Sequence, residues 1–313
     1  MSRAFVFPGQ GAQTVGMGHD LARAYPAARA VFDEVDEALG EKLSALIWEG
    51  AQDELTLTEN AQPALMATSL AALRALEAEG AGIEAAAMVA GHSLGEYSAL
   101  AAAGALSVAD TARLLRVRGR AMQAAVPVGE GAMAAILGLD LAAVRKVALE
   151  AARGEVLQAA NDNDPGQVVV SGTRAAVERA VDVAKEHGAK RAMLLPVSAP
   201  FHCALMEPAA RAMQAALAGV EIVAPRVPLV ANVRAEAVSD PDTIRALLVE
   251  QVTGAVRWRE SVEYMGRAGV DEIWEIGAGK ALSGMVRRID RTIATRAVGA
   301  PADVAAAAES LRA

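Results

Sequence analysis

The chain has 313 residues, of which 53% are hydrophobic, 22% are charged and only 3% are aromatic. This composition is typical of a globular enzyme whose large core is built from small and branched aliphatic side chains, and the length allows one large domain and a smaller one. The net charge of -8 and the lack of a Lys/Arg block argue against nucleic acid as a partner, and a single cysteine, Cys203, excludes an intramolecular disulfide.

The ends and the apolar stretches of the chain bear on its location. Residues 1–8 lack the long apolar stretch of a signal peptide. The most apolar stretch, residues 85–108, is interrupted by His92 and Glu96, so it predicts buried strand and helix and not a membrane span. We therefore expect a cytoplasmic protein that makes no contact with a membrane.

The first hundred residues alternate between strand and helix patterns. Residues 4–7 predict a short buried strand that stops at Pro8, and helical patterns fill residues 17–80. A second buried strand at residues 87–90 runs into a glycine-bounded turn and then into an Ala/Leu-rich helix. This order predicts an α/β fold with a parallel sheet covered on both faces.

Residues 128–197 follow a different pattern. We predict strands at 132–137, 156–160, 167–171 and 191–197, helices at 141–153 and 174–187, and a turn-rich segment at 161–166. The order βαββαβ is the ferredoxin-like pattern. It predicts a small subdomain at 128–197, inserted into a large catalytic subdomain formed by residues 1–127 and 198–313.

After residue 200 the strand and helix alternation returns. The clearest strands are predicted at residues 229–233 and 271–276, and the Ala-rich segment 301–313 predicts a final helix.

The segment Gly91-His92-Ser93-Leu94-Gly95 matches Gly-x-Ser-x-Gly between a predicted strand and a predicted helix. A serine on such a sharp turn exposes its hydroxyl, and the following helix directs unpaired N–H groups, beginning with Leu94, at the reacting centre. The alternative is a glycine-bounded turn with an ordinary serine. The strand and helix on either side favour Ser93 as a nucleophile.

A nucleophilic serine needs a base, and the chain has four histidines. His92 adjoins the serine on a tight turn, where neighbouring side chains point apart, and His187 ends a helix of the predicted insertion. His19 lies in a glycine-rich loop. His202 follows a strand end and a proline-stiffened turn, where parallel α/β folds place catalytic groups, so elimination favours it. Its neighbour Cys203 is assigned to packing.

The group that orients the histidine has no clear signature. Serine hydrolases commonly place an acidic residue between the serine and the histidine in sequence, and five aspartates lie in that interval without a distinguishing pattern: Asp110, Asp140, Asp162, Asp164 and Asp182. A backbone carbonyl can take the same role, so both alternatives stay open.

The helix predicted from Ser107 to Gln123 carries an arginine on its apolar face. At about 100° per residue Arg118 falls among Leu114 and Met122, opposite the other arginines of the segment. A buried guanidinium keeps its proton and requires an anionic partner. That partner is either an Asp or Glu of the chain, in a structural salt bridge, or the carboxylate of a ligand held in bidentate fashion.

The glycine-rich segment 7–18 is not a nucleotide site. Gly9 and Gly11 are followed by Thr14 where the dinucleotide fingerprint has its third glycine, and the Lys of a P-loop is absent. The segment offers a loop whose backbone N–H groups can complete an oxyanion site, with Gln10 as its polar residue. No Cys or His cluster has zinc spacing and no His-Glu-x-x-His occurs, so we expect neither a metal nor a bound cofactor.

Together these motifs resemble the malonyl-CoA:acyl carrier protein transacylases of type II fatty acid synthesis, along essentially the whole chain. The resemblance rests on five segments in this order and spacing: Phe7-Pro8-Gly9-Gln10-Gly11, Gly91-His92-Ser93-Leu94-Gly95-Glu96-Tyr97, Arg118-Gly119, Pro200-Phe201-His202 and Glu275-Ile276-Gly277-x-Gly279. It implies an α/β-hydrolase-like core with a ferredoxin-like insertion.

The resemblance also implies a role for each motif residue. Ser93 would accept the acyl group and His202 would act as base and then as acid. Arg118 would bind the malonyl carboxylate. Gln10 and Leu94 would provide the oxyanion N–H groups. The backbone carbonyl of Gln251 would hold the histidine, and Asn161 would line the cleft.

The activity implied is ping-pong transfer of a malonyl group from malonyl-CoA to the phosphopantetheine thiol of acyl carrier protein, by a monomer. The alternatives are a serine thioesterase or hydrolase, a malonyl transferase associated with malonate decarboxylase, and a non-catalytic carrier-binding protein.

Overall fold

The computed structural model describes residues 2–312 and contains two sheets. The strands are β1 (Arg3–Phe7), β2 (Met88–Gly91), β3 (Gly131–Leu137), β4 (Leu157–Asp164), β5 (Gln167–Thr173), β6 (Arg191–Leu194), β7 (Leu229–Val230), β8 (Ala237–Val238), β9 (Glu272–Ile276) and β10 (Ala294–Val298). One sheet has the order β10-β9-β1-β2-β7-β8 and the other has the order β4-β5-β3-β6.

Helices cover both faces of the first sheet and one face of the second. They are α1 (His19–Ala24), α2 (Pro26–Leu39), α3 (Leu43–Glu49), α4 (Gln52–Thr56), α5 (Thr58–Ala78), α6 (Gly95–Ala102), α7 (Val108–Ala124), α8 (Leu141–Ala152), α9 (Arg174–Glu186), α10 (Glu207–Ala218), α11 (Pro241–Thr253), α12 (Trp258–Arg267), α13 (Ala281–Ile289) and α14 (Pro301–Arg312). Within residues 2–312 we find no helix that combines the length and apolar character needed to span a membrane.

The first sheet is parallel from β10 to β7, and only the edge strand β8 runs antiparallel. Strands β2 and β7, and β1 after Arg3, read as continuous apolar runs because helices cover them on both faces. Phe5 of β1 stacks on Trp274 of the neighbouring β9 with ring centroids 5.4 Å apart. The predicted parallel sheet is therefore present, and it forms the centre of the larger core.

The second sheet is antiparallel throughout and has a core on each side. Ala134 and Ile136 of β3 pack under α8 and α9, whereas the alternating Met133 and Ala135 belong to the core of the first sheet. Side chains of a strand point to opposite faces in turn, so one strand serves both cores. All six predicted elements of this segment are present.

The polar segment predicted as a turn at residues 161–166 is largely strand. Strand β4 continues to Asp164, and the hairpin closes over Pro165 and Gly166 alone. Asn and Asp favour turns, but here ion pairs hold them in the sheet. The buried carboxylates of Asp162 and Asp164 pair with Arg259 of α12 and Arg288 of α13, at 2.8 and 2.6 Å.

Two predicted strands are too long and two strands were not predicted. The strand predicted to reach residue 197 ends at Leu194, just before Pro196, which has no N–H for a ladder. The strand predicted at 229–233 ends at Val230. Strands β8 and β10 pair only at the edges of the first sheet, where side chains are partly exposed and the apolar pattern is weak.

Candidate active site

The turn between β2 and α6 holds Ser93 in a strained conformation. Its φ of 53° lies in the left-handed region, which a residue with a Cβ seldom adopts. Both flanking glycines are required by space. A Cβ on Gly91 would lie 1.9 Å from the carbonyl carbon of Gly95, and one on Gly95 would lie 2.2 Å from the carbonyl oxygen of Phe7. The sharp turn brings the Ser93 side chain to the wall of a cleft.

His202 lies beside the serine. Its Nε2 is 2.7 Å from Ser93 Oγ, and its Nδ1 is 2.9 Å from the carbonyl oxygen of Gln251 and 3.1 Å from that of Gly254. A carbonyl only accepts hydrogen bonds, so Nδ1 carries the proton and the unprotonated Nε2 faces the hydroxyl. His202 also has a positive φ, 58°, so both members of the pair are held by strained backbone.

Burial, together with the positive charge of Arg118, lowers the pKa of His202 to about 3. The imidazole is therefore neutral near pH 7, which is the form that can take a proton from serine.

Within residues 2–312 none of the other three histidines hydrogen-bonds to Ser93 Oγ, although His92 also lines the cleft. His92 turns away from the serine and its Nε2 is 2.8 Å from Asn163 Oδ1. His19 stacks on Trp48 at 5.0 Å, and His187 is partly exposed at the end of α9. The arrangement matches the elimination made from the sequence.

Backbone carbonyls, and no carboxylate, meet the histidine. Within residues 2–312 no Asp or Glu side chain hydrogen-bonds to His202. Asp162 and Asp164 are held by arginines. At the starts of α7 and α8, the carboxylate of Asp110 accepts from Ser107 Oγ and that of Asp140 accepts the backbone N–H of Ala143. The second alternative left open by the sequence is the one that the structure contains.

Arg118 is 1% exposed, and three neutral oxygens receive its hydrogen bonds. Nη1 donates to Gln62 Oε1 at 2.9 Å. Nη2 donates to Gln251 Oε1 at 2.8 Å and to Ser93 Oγ at 3.1 Å. Its Nε is buried without a partner, and no carboxylate of residues 2–312 forms an ion pair with it. Burial lowers its pKa, but a guanidinium stays protonated in proteins.

Two backbone N–H groups at the cleft are free to bind an oxyanion. Leu94 and Gln10 both line the cleft, and neither backbone N–H donates a hydrogen bond within the part of the chain that the structure describes. Leu94 directly precedes α6, where the helix dipole adds a partial positive charge. The Gln10 side chain is turned away and donates to Thr58 Oγ1 at 3.3 Å.

Polar groups that the sequence did not single out hold the turn. Asn232 Oδ1 accepts the N–H of Ser93 at 2.8 Å, and its Nδ2 donates to the carbonyl of Gly91 at 2.7 Å. Glu96 Oε2 accepts from the backbone N–H of Asn232 at 3.1 Å and from Gln251 Nε2 at 2.8 Å. Asn232, and likewise Gln62 beside Arg118, have no local sequence signature, because each acts on a partner far along the chain.

The cleft between the two sheets has a volume of about 430 Å³. Met133 and the buried Asn161 come from the second sheet, and Met122, Phe201 and Leu195 add apolar walls. All seven residues proposed for the site from the sequence lie at the cleft or, for Gln251, hydrogen-bond to residues that line it. Apolar walls around one buried cation suit a small acyl group that carries a carboxylate.

Comparison with known proteins places the chain among acyl transferases. Residues 4–291 match the family model described as the acyl transferase domain. The malonyl CoA-acyl carrier protein transacylase of Escherichia coli K12 is 50% identical over 98% of both chains. The acyl-carrier-protein-S-malonyltransferase of Bartonella henselae superposes with a TM-score of 0.98 at 56% identity, over 100% of both chains.

A third relative was solved together with a carrier protein. It is a malonyl-transacylase in complex with a type II PKS acyl-carrier protein, with a TM-score of 0.96 and 44% identity, over 99% of this chain and 100% of that one.

Proposed function

Because the chain belongs to the acyl transferase domain family, we propose that Ser93, His202 and Arg118 carry one reaction, the transfer of a malonyl group from malonyl-CoA to the phosphopantetheine thiol of an acyl carrier protein. The chain is an acyltransferase that supplies malonyl units for fatty acid synthesis. The observation that carries the proposal is the cation beside the nucleophile: Arg118 Nη2 is 3.1 Å from Ser93 Oγ and has no carboxylate partner among residues 2–312.

The first half-reaction acylates the serine. His202 Nε2 takes the Ser93 proton as Oγ attacks the thioester carbonyl, and the carbonyls of Gln251 and Gly254 hold the imidazolium through Nδ1. The oxyanion lies against the N–H groups of Leu94 and Gln10. The C–S bond then breaks, and His202 returns the proton to the sulfur of coenzyme A.

The carboxylate of the acyl group selects malonyl. In malonyl-Ser93 a single methylene separates the ester carbonyl from the carboxylate, so a cation within reach of Oγ is also within reach of that carboxylate. Arg118 offers a planar pair of donors that matches a carboxylate in bidentate geometry. Gln62 and Gln251 hold the guanidinium from either side.

The second half-reaction repeats the first with another thiol. The phosphopantetheine thiol of the carrier protein enters where coenzyme A left, and His202 takes its proton as the sulfur attacks the ester carbonyl. A thioester bond forms, the ester C–O bond breaks, and His202 returns the proton to Ser93 Oγ. The scheme uses no metal and no bound cofactor, since the nucleophile, the base and the cation are side chains.

The architecture supports a division of labour. We assign residues 1–127 and 198–313 to an α/β-hydrolase-like catalytic subdomain, and residues 128–197 to a ferredoxin-like subdomain. The strand order β4-β5-β3-β6, with every pair antiparallel and a helix after β3 and after β5, supports the second assignment. The smaller subdomain contributes Asn161 and Met133 to the cleft wall.

The test is capture of the acyl-enzyme. Intact-mass and peptide analysis after incubation with malonyl-CoA should show one malonyl group on Ser93, and Ser93→Ala should carry none. Ser98→Ala, at a buried serine of the following helix, should label normally. Labelling of Ser93→Ala equal to that of the unaltered chain would contradict the scheme.

The same sample separates the alternatives. Release of the malonyl group to a holo acyl carrier protein, with slow loss to water in its absence, is expected of the transferase. Rapid loss to water without any carrier would instead indicate a thioesterase or hydrolase.

A further inference from the structure

Glu96 is a buried carboxylate next to the reacting serine that the reaction scheme leaves without a role. It is 1% exposed and lies three residues after Ser93, in the first turn of α6. Negative charge is stabilised at that end of a helix, yet complete removal of a carboxylate from water is costly unless it is paired.

The hydrogen bonds of Glu96 all fall on one oxygen. Oε2 accepts from Asn232 N and from Gln251 Nε2, while Oε1 is buried and has no hydrogen-bond partner among residues 2–312. A proton on Oε1 would therefore leave both existing hydrogen bonds in place. The geometry suits the ionised and the neutral form of the group alike.

A single amide separates Glu96 from Arg118. Gln251 donates from Nε2 to Glu96 at 2.8 Å and accepts at Oε1 from Arg118 at 2.8 Å. A reversed amide would place its N–H groups against the guanidinium and its oxygen against the carboxylate, so the two charges fix its orientation. Glu96 and Arg118 are thus opposite charges that do not touch and are bridged by one amide side chain.

Few other charges act on Glu96. Arg118 of α7 is the cation that faces it. Burial raises the pKa of its neighbour Tyr97, which is therefore neutral, and His202 is neutral because its pKa is low.

The other elements packed on α6 bring no unpaired charge to Glu96. Strands β2 and β7 carry no titratable residue, and Arg3 of β1 pairs with Glu272. The charged residues of α5 are held in ion pairs with groups other than Glu96: Glu59, Arg74 and Glu77.

We propose that Glu96 is a specificity-determining residue, the internal counter-charge of Arg118, and that it takes up a proton when the malonyl carboxylate binds the arginine. The inference rests on the proposed function, because it needs a malonyl group on Ser93. In the empty site one carboxylate balances one guanidinium. A second carboxylate leaves the buried site with an excess negative charge, which protonation of Glu96 removes.

The protonation of Glu96 is consistent with its surroundings. Burial raises the pKa of its carboxyl to about 7, and this effect outweighs the opposing hydrogen bonds from Gln251 and Asn232 and the charge of Arg118. A nearby ligand carboxylate raises it further. The chemical step itself is balanced without Glu96, because the serine proton leaves on the coenzyme A thiol. The additional proton comes from solvent.

Proton uptake during acylation tests the proposal. The unaltered chain is mixed with malonyl-CoA or acetyl-CoA at about pH 8 in weak buffer with a pH indicator, and the acyl-enzyme in each sample is quantified by mass. We expect uptake of roughly half to one proton per malonyl-enzyme and none per acetyl-enzyme. Malonyl-enzyme that forms without proton uptake overturns the inference and leaves the proposed function standing. Absence of any malonyl-enzyme counts against the function itself.

Two variants locate the proton. Glu96→Gln imitates the neutral carboxyl, so its malonylation should take up no proton. Asp162→Asn removes another buried carboxylate whose pKa burial raises, and it should leave the uptake unchanged. Uptake that persists in Glu96→Gln overturns the assignment.

The pH dependence of the unaltered chain gives a test that needs no variant. Above a pH of about 7 Glu96 is ionised in the empty site, so malonyl binding must then draw a proton from solvent. The KM for malonyl-CoA, relative to that for acetyl-CoA, should therefore rise with pH, by at most about tenfold per pH unit. A ratio that does not change with pH contradicts the proposal.

Discussion

Helix α7 buries one arginine on each of two opposite faces, and the two guanidinium groups meet different partners. Arg116 forms an ion pair with Glu41 at the protein surface. Arg118 donates to the neutral oxygens of Gln62 and Gln251 and faces the cleft. The two residues are 7% and 1% exposed, so burial alone does not distinguish them.

The difference shows what separates a structural arginine from one that awaits a ligand. On the first face a carboxylate of the chain contacts Arg116. On the second face the uncharged amides of Gln62 and Gln251 contact Arg118. Arg118 has no carboxylate in direct contact, because its counter-charge Glu96 lies beyond the amide of Gln251. Its donors are therefore available to a carboxylate that the substrate brings. The following predictions test this contrast, beginning with the largest expected effect.

Arg118→Gln should reduce malonyl transfer far more than acetyl transfer. Loss of a buried charged contact to the ligand predicts a fall in kcat/KM for malonyl-CoA of about 10²- to 10³-fold, and acetyl-CoA, which has no carboxylate, should lose much less. Steady-state kinetics with both thioesters measure the effect. Equal losses for the two substrates would assign Arg118 a structural role.

Arg116→Gln is the matched variant on the other face of the same helix. It should lower the free energy of unfolding by only about 1–2 kcal/mol. The loss stays small because the partner Glu41 is half exposed and solvent screens the pair. Denaturant unfolding measures the loss. The ratio of malonyl to acetyl transfer should not change, and a changed ratio would remove the contrast between the two faces.

The charge of Arg118 should also appear in the pH profile of the base. Since burial and Arg118 hold the pKa of His202 at about 3, its neutral form persists well below pH 6, and kcat/KM for acetyl-CoA should stay level there. In Arg118→Gln the fall in activity on the acid side should move to higher pH. Circular dichroism at each pH verifies folding, and an unmoved profile would mean that the arginine does not act on the histidine.

Glu41→Gln should have the smallest effect. The carboxylate is 43% exposed, so loss of its charge should cost about 0.5–1 kcal/mol in unfolding free energy and leave both transfer reactions unchanged. Thermal unfolding with assays of the two substrates provides the measurement. A loss as large as that of Arg116→Gln would show that the pair is effectively buried.

Local patterns were enough to locate most elements and the nucleophile. The turn at Ser93 lies between a buried strand and a helix, and its glycines are required by contacts within a few residues or with the neighbouring strand β1. The order βαββαβ at residues 131–194 likewise follows from alternation and helical spacing in each segment. The prediction was wrong where ion pairs override turn propensity, in the part of β4 that ends at Asp164.

The sequence by itself determined that a serine stands on a strained turn and that an arginine lies on the apolar face of a helix, because both depend on neighbours within a few residues. The tertiary structure decided that carbonyls and not a carboxylate meet His202, and that amides and not an acid hold Arg118. Those contacts join Gln251 to residues 49 and 133 positions away. No local pattern specifies such pairs, because folding brings them together only when α11 packs beside the turn.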